Sequence, residues 1–171
     1  MTTKNTFKTN LDNIHKKLTE VSDWMYDNPE LGFEEFKTSQ YLVEFIESFD
    51  HDVTYPTGKL ETAFEITFGT EGPLTVLCVE YDALPEIGHA CGHNIIATAS
   101  IGAGLAIANL VEELGIRVKL LGTPAEEGGG GKIILLDNGV FEDAACSMMI
   151  HPAYENVVNP TFTTIQQYKV E

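Results

Sequence analysis

The stretch Leu74-Thr-Val-Leu-Cys-Val79 is apolar and runs directly into Glu80-Tyr-Asp82-Ala-Leu-Pro-Glu86-Ile-Gly-His89-Ala-Cys91-Gly-His93-Asn94. The first part is typical of a buried strand, and the second is a loop rich in side chains that bind metals or move protons. Strand-like and helix-like segments alternate after residue 70, which predicts an α/β sheet with helices on its faces. Sites in open α/β sheets form beyond the carboxyl ends of the strands, so the quoted loop is the expected position of a site.

The remaining sequence supplies helices before this stretch and further strands after it. Apolar residues at three- and four-residue steps predict helices over 11–25 and 33–46, with Pro29 and Gly32 ending the first. Short β-rich runs predict strands, the first two forming a hairpin or neighbouring pair across the turn at 69–73 and the last lying inside the sheet; these strands cover 62–68, 74–79, 116–122 and 145–150. One buried helix is predicted over 95–113, ended by Gly115, and a short one over 132–138.

Composition narrows the class of protein. The 171 residues carry 10 Lys and Arg against 26 Asp and Glu, a net charge of −16 that disfavours nucleic acid and anionic membrane surfaces as partners. The apolar runs are far shorter than the ~20 residues that span a bilayer, and the polar N-terminus has no signal-peptide core, so we expect a soluble, cytoplasmic protein. Three cysteines without C-x-x-C spacing fit reduced thiols, with Cys78 and Cys146 buried in strands.

The loop after the second strand predicts a metal site. Thiolate, imidazole and carboxylate groups all bind Zn²⁺ or neighbouring metals, and Cys91 with His93 is the favoured pair because flanking glycines allow both side chains to turn to one side. A buried, structural cysteine is the alternative for Cys91.

Two further clusters follow later strands. Glu126 and Glu127 precede four glycines, so that one carboxylate can hold a metal while its neighbour acts as a general base. A solvated acidic turn with a flexible glycine linker is the alternative. His151 comes directly after the last strand, and beside the other clusters it is the natural distal ligand.

These motifs resemble a known family. Tyr81-Asp-Ala-Leu-Pro85, His89-Ala-Cys-Gly-His-Asn94, Pro124-Ala-Glu-Glu-Gly-Gly-Gly-Gly131 and His151-Pro152 are similar in order and spacing to the metallo-amidohydrolases of the aminoacylase and carboxypeptidase superfamily. The segment Asn28-Pro-Glu-Leu-Gly-Phe-Glu-Glu35 resembles the helix pair at the N-terminus of that family. The Asn at position 94 is most similar to the aminobenzoyl-glutamate hydrolase and Xaa-Arg dipeptidase branch.

The resemblance implies a fold, a reaction and a set of residues. It implies the partial catalytic domain of a two-domain metallopeptidase fold, with a mixed central sheet, and two divalent ions, Zn²⁺ or Mn²⁺, hydrolysing the amide bond of an N-acyl amino acid or dipeptide. The implied metal ligands are Cys91, His93, Glu127 and His151, with Glu126 as general base and Asp82 as a carboxylate supporting the metals.

The resemblance also sets expectations for domain organisation. Residues 1–160 correspond to the N-terminal part of the catalytic domain, and 161–171 to the start of a lid or dimerisation domain, the surface through which full-length members form homodimers. We therefore expect a fragment with an incomplete site. The main alternative is a metal-binding remnant or regulatory module without catalysis; a cysteine hydrolase using Cys91 and a structural domain are weaker alternatives.

Overall fold

The computed structural model describes residues 2–158 as helices packed on a four-stranded sheet. The predicted lid segment 161–171 lies outside the described residues. In chain order the elements are α1 (Thr3–Asp27), α2 (Phe36–Glu47), β1 (Glu65–Phe68), β2 (Leu74–Val79), α3 (His93–Ile107), α4 (Val111–Leu114), β3 (Arg117–Gly122), α5 (Gly131–Asp137) and β4 (Ala144–Met148). None of the described helices combines the length and apolar character that crossing a membrane requires.

The sheet is mixed, with the strand order β1-β3-β2-β4. Strand β2 pairs in parallel with both β3 and β4, whereas β1 pairs antiparallel with β3. Because the three parallel strands point the same way, their carboxyl ends lie at one edge of the sheet, and the loops that follow them meet there.

Both faces of the sheet are covered, as the α/β prediction required. On one face Leu77, Val79 and Leu120 pack in a cluster with residues of α1, α2 and α3. On the other face Val76 and Cys78 pack with Leu135 of α5. The predicted mixed sheet with helices on both faces is therefore confirmed.

Helix α3 is central because it contacts both a helix and the sheet. It is buried almost all round, and two of its glycines allow close packing. A Cβ on Gly102 would lie 2.7 Å from Leu18 Cδ1 of α1, and one on Gly104 would lie 2.6 Å from Leu120 Cδ2 of β3. The N-terminus of α3 is thereby fixed at the carboxyl edge of the sheet.

Four predictions about these elements were wrong. Strands β1 and β2 are not neighbours, because β3 lies between them. The predicted helix over 95–113 is two helices, α3 and α4, since the turn at Leu110 separates them. Strand β4 is at the edge of the sheet and is largely exposed, so Cys146 is exposed as well.

Candidate metal centre

The candidate site lies where the loops after β2, β3 and β4 meet the N-terminus of α3. Strand β2 leads into Glu80 and Asp82, β3 leads to the Glu126-Glu127 pair, and β4 is followed by His151. Helix α3 begins at His93, and Gly92 before it has φ 84°, a left-handed conformation that glycine adopts without strain. A Cβ on Gly92 would lie 2.8 Å from Pro152 Cγ, so this glycine also allows the His151 segment to approach.

The imidazole of His93 is fully buried and held from one side by Asp82. Its Nδ1 lies 2.8 Å from the Asp82 carbonyl oxygen and 3.1 Å from Asp82 Oδ1. A carbonyl oxygen only accepts, so the proton is on Nδ1 and the lone pair of Nε2 points away from Asp82. A hydrogen bond of this kind is what fixes the tautomer and the ring orientation of metal-binding histidines.

The Nε2 atom of His93 faces three carboxylates. Glu80 Oε2 lies 3.4 Å from it, Glu126 Oε2 3.7 Å and Glu127 Oε1 3.9 Å. Neither His93 Nε2 nor Glu80 Oε2 has a hydrogen-bond partner among the described residues, although both atoms are buried. Buried polar atoms without partners are costly, and two of them facing each other indicate that something is bound between them.

Cys91 and His151 complete the arrangement on the solvent side. The Sγ of Cys91 lies 3.6 Å from Nε2 of His151, and Nδ1 of His151 donates to the Pro152 carbonyl oxygen at 2.8 Å. Ligand atoms of Cys91, His93 and His151 all lie within 4.8 Å of one another, as do those of Glu80, His93 and Glu126. All six predicted site residues, which are Asp82, Cys91, His93, Glu126, Glu127 and His151, are thus brought to one place.

Glu80 and Lys132 belong to the same place and were not predicted as site residues. The Glu80 side chain is completely buried, and its Oε1 accepts from the Lys132 ammonium group, which comes from α5. The position of Glu80 directly after a buried strand, two residues before Asp82, was a signal for its burial. Lys132 carried no such signal, because the contact spans 52 positions.

His89 lies near the site but in neither group of candidate ligands. It is buried, and both its ring nitrogens lack a partner among the described residues. Burial and the nearby His93 charge lower the pKa of His89, so its ring is neutral at pH 7.

The excess of carboxylates sets the protonation of the site. Burial and the neighbouring Glu127 carboxylate raise the pKa of Cys91 to about 12. Burial and the Glu80 charge raise the pKa of Glu126. Burial alone would lower the pKa of His93, but the Asp82 carboxylate outweighs it and raises the pKa. Burial would raise the pKa of Asp82, but hydrogen bonds from His93 and the Glu127 amide lower it.

The residues present fit a divalent cation. Thiol, imidazole and carboxylate groups are the donors that Zn²⁺ and related ions take, and the surplus of negative charge supplies the electrostatic attraction. A nearby cation also reverses the pKa of the thiol, because it stabilises the thiolate.

The four glycines after Glu127 pack closely and do not form an open linker. A Cβ on Gly131 would overlap the Pro124 carbonyl oxygen, and one on Gly129 would lie 2.6 Å from Ala125 Cβ. The backbone of this segment therefore folds against the residues that precede the Glu126-Glu127 pair. The alternative of a flexible linker was wrong.

The fold and this cluster of ligands define a metal-binding α/β domain, and comparison with known proteins specifies its relatives. The chain is 34% identical to the p-aminobenzoyl-glutamate hydrolase of Escherichia coli, a match to one polypeptide of that enzyme over 88% of the chain and 36% of the polypeptide. It is 38% identical to Xaa-Arg dipeptidase of Homo sapiens, over 85% of the chain and 38% of that protein. No protein-family model matches the chain.

A solved structure gives the same result for the fold. A dinuclear metal-binding peptidase of the M20 family from Bacillus subtilis superposes with a TM-score of 0.71 at 24% identity, covering 80% of this chain and 42% of that one. The chain is a relative of the metallo-amidohydrolases that include aminobenzoyl-glutamate hydrolase and Xaa-Arg dipeptidase, and the predicted resemblance is confirmed. It spans little more than a third of the length of these two curated relatives.

Proposed function

We propose that this chain supplies the metal-binding and proton-transfer residues of a hydrolase that cleaves the amide bond of an N-acyl amino acid or dipeptide. The observation that carries the proposal is the pair of buried atoms without partners, His93 Nε2 and Glu80 Oε2, surrounded by the predicted ligands. The names of the relatives support the substrate class, because both names denote hydrolysis of an amide of an amino acid.

In this proposal Cys91, His93, Glu127 and His151 hold divalent cations, and Glu80 contributes a further carboxylate oxygen. A bound cation acts as a Lewis acid on a carbonyl oxygen and makes a water molecule more acidic. Two cations, Zn²⁺ or Mn²⁺, are proposed because the relative from Bacillus subtilis is described as dinuclear. The free thiols of Cys78, Cys91 and Cys146 suit the reducing environment of a cytoplasm.

Glu126 is proposed to move the proton. Its carboxylate is 40% exposed and lies at the rim of the cluster, where a water molecule and a substrate can both reach it. The raised pKa of Glu126 brings the carboxyl group closer to neutrality, so that it accepts a proton from water and returns it to the leaving amine more readily than an ordinary Glu. Asp82 holds the Nδ1 proton of His93 and so keeps Nε2 available as a ligand.

Cobalt binding followed by an amidase assay tests both parts. We expect Co²⁺ to bind the chelator-treated chain with a thiolate-to-cobalt absorption band that Cys91→Ala removes. Hydrolysis of aminobenzoyl-glutamate or an Xaa-Arg dipeptide with Zn²⁺ or Mn²⁺ should be lost in Glu126→Gln while cobalt binding is kept.

Two results contradict the proposal. Absence of the cobalt band in the unaltered chain removes the metal site, and turnover that survives chelation removes the metal from the reaction. Cation binding with none of these substrates cleaved would instead favour a metal-binding module without catalysis.

A further inference from the structure

Glu35 is a buried carboxylate that the proposed chemistry does not use. It lies in the connection between α1 and α2 and has no exposed surface. Its Oε1 accepts from the backbone amide of Ala125 at 2.8 Å, and its Oε2 accepts from the Thr62 hydroxyl at 3.0 Å. Both carboxylate oxygens are thereby occupied by donors from other parts of the chain.

Capping of α2 does not explain this carboxylate. Glu35 stands at the N-cap position of α2, but its side chain makes no capping hydrogen bond. The capping is done by Glu30, whose Oε2 accepts from the Thr38 amide at 2.7 Å and from the Thr38 hydroxyl at 2.8 Å. The side chain of Glu35 is directed at Ala125 instead.

Ala125 begins the turn that carries Glu126 and Glu127. It has φ 55°, a left-handed conformation that costs a non-glycine residue about 1 kcal/mol or more and persists only where the surroundings hold it. At the other end of the turn the Glu127 amide donates to Asp82 Oδ2 at 2.8 Å. Two carboxylates, Glu35 and Asp82, therefore hold the turn from both sides.

The α1–α2 connection is packed against this turn over more than one residue. A Cβ on Gly32 would lie 3.0 Å from the Cα of Ala125, which leaves room only for glycine. The Ala83 amide, one residue after Asp82, donates to the Glu30 carbonyl oxygen at 2.8 Å. One connection thus contacts the loops after both β2 and β3.

We propose that Glu35 is a positioning residue: by accepting the Ala125 amide proton, it fixes the turn in which Glu126 and Glu127 face Nε2 of His93. This inference rests on the proposed function for the roles of those two glutamates. It predicts that the acceptor oxygen at position 35 controls cation binding from outside the ligand set.

The test compares Glu35→Met, Glu35→Gln and the matched control Glu30→Met. Methionine fills a similar volume without an acceptor, whereas the glutamine amide oxygen still accepts from Ala125. The first readout is hydrogen exchange of the Ala125 and Glu127 amides in the chelator-treated chain, and the second is affinity for Co²⁺.

In Glu35→Met we expect both amides to exchange faster than in Glu30→Met, and cobalt affinity to fall by about 10-fold or more, as is typical when a group that supports metal ligands is lost. Glu35→Gln should stay near the unaltered chain in both readouts. Glu30→Met should lower stability without changing cobalt affinity.

Unchanged exchange of the Glu127 amide in Glu35→Met overturns the inference, as does a Glu35→Gln variant that is as weak as Glu35→Met. If Glu35→Met fails to fold, Thr62→Val replaces it, because it removes only the hydroxyl that orients Glu35, and unchanged Ala125 and Glu127 exchange in it is equally contrary. Failure of the unaltered chain to bind Co²⁺ counts against the proposed function alone, since the exchange readout needs no metal.

Discussion

Cys91 is surrounded by carboxylates that oppose its ionisation when no cation is present. Burial and Glu127 raise its pKa from 9.0 to about 12, which lowers the thiolate fraction at pH 8 roughly 1000-fold. Because the thiolate is the reactive form, we expect Cys91 of the chelator-treated chain to react with iodoacetamide much more slowly than the exposed Cys146. Peptide mass spectrometry after a short pulse measures both rates.

Exposure also differs between these two thiols, so a charge variant is the control. Glu127→Gln removes a carboxylate beside Cys91 and should speed its alkylation at pH 8 several-fold, while the rate at Cys146 stays the same. Equal rates at Cys91 and Cys146 in the unaltered chain would contradict the charge effect.

The Asp82–His93 pair predicts how stability depends on pH in the metal-free chain. Since the pKa of His93 is raised above 6.5, its contribution is fully present below pH 6.5 and is lost as pH rises through the folded value. Since the pKa of Asp82 is lowered below 3.8, its contribution is present above pH 3.8 and is lost as pH falls through the folded value. The pair is therefore most stabilising between these two limits.

Asp82→Asn should consequently cost more at pH 6 than at pH 9. We expect a loss of about 2 kcal/mol in the free energy of unfolding at pH 6, because a hydrogen bond to a charged group is removed, and a smaller loss at pH 9. Urea unfolding of both proteins in the presence of a chelator measures the difference. A loss that is the same at both pH values would show that Asp82 does not favour protonated His93.

Sequence could indicate the site residues that share a loop, but not those that meet only in the fold. Cys91 and His93 are two positions apart, so their proximity was visible in the spacing. Lys132 reaches Glu80, and Glu35 reaches Ala125, only because α5 and the α1–α2 connection pack against loops far away in sequence. The roles of the individual site residues stay predictions.

At the scale of elements, periodicity predicted where strands lie but not which strands pair. The turn at 69–73 looked like a hairpin, yet β1 pairs with β3 in the register Glu65↔Leu121. Strand order depends on non-local packing, which alternation of apolar residues does not encode. The apolar character of β4 likewise did not indicate that the strand is exposed at the edge.

The N-terminus of α5 offers a test of close packing at this scale. Gly131 lies against the Pro124 carbonyl oxygen, whereas a Cβ on Gly128 would have nothing within 4 Å. Gly131→Ala should therefore displace the turn before Glu126, lowering the free energy of unfolding by about 2 kcal/mol and weakening Co²⁺ binding.

Gly128→Ala is the matched control for that variant. Gly128 has φ 77°, so alanine there is strained by roughly 1 kcal/mol without a steric clash, and cobalt binding should be kept. Chemical denaturation and cobalt titration compare the two variants. Equal loss of cobalt binding in both would show that conformation, and not close approach to Pro124, makes the glycine run necessary.

Over the whole molecule, a net charge of −16 opposes self-association while one edge of the sheet favours it. Among the described residues, β4 pairs on one side only, with β2. Exposed apolar side chains surround this edge on α5, on β4 and just after it; they are Ile133, Leu136, Met148, Met149 and Ile150. An unpaired strand with apolar neighbours is a surface on which chains associate.

We therefore expect self-association that increases with salt. At ~1 M salt the Debye length falls to about 3 Å, which removes most repulsion between the acidic surfaces and leaves the apolar contact unopposed. Sedimentation velocity at low and high salt should show a monomer that becomes larger species as salt is added. Met148→Lys places a charge on the edge strand and should suppress them, whereas Leu114→Lys, which alters an exposed apolar residue on α4, should not. Equal suppression by both variants, or association that decreases with salt, would show that the β4 edge is not the surface through which the chains meet.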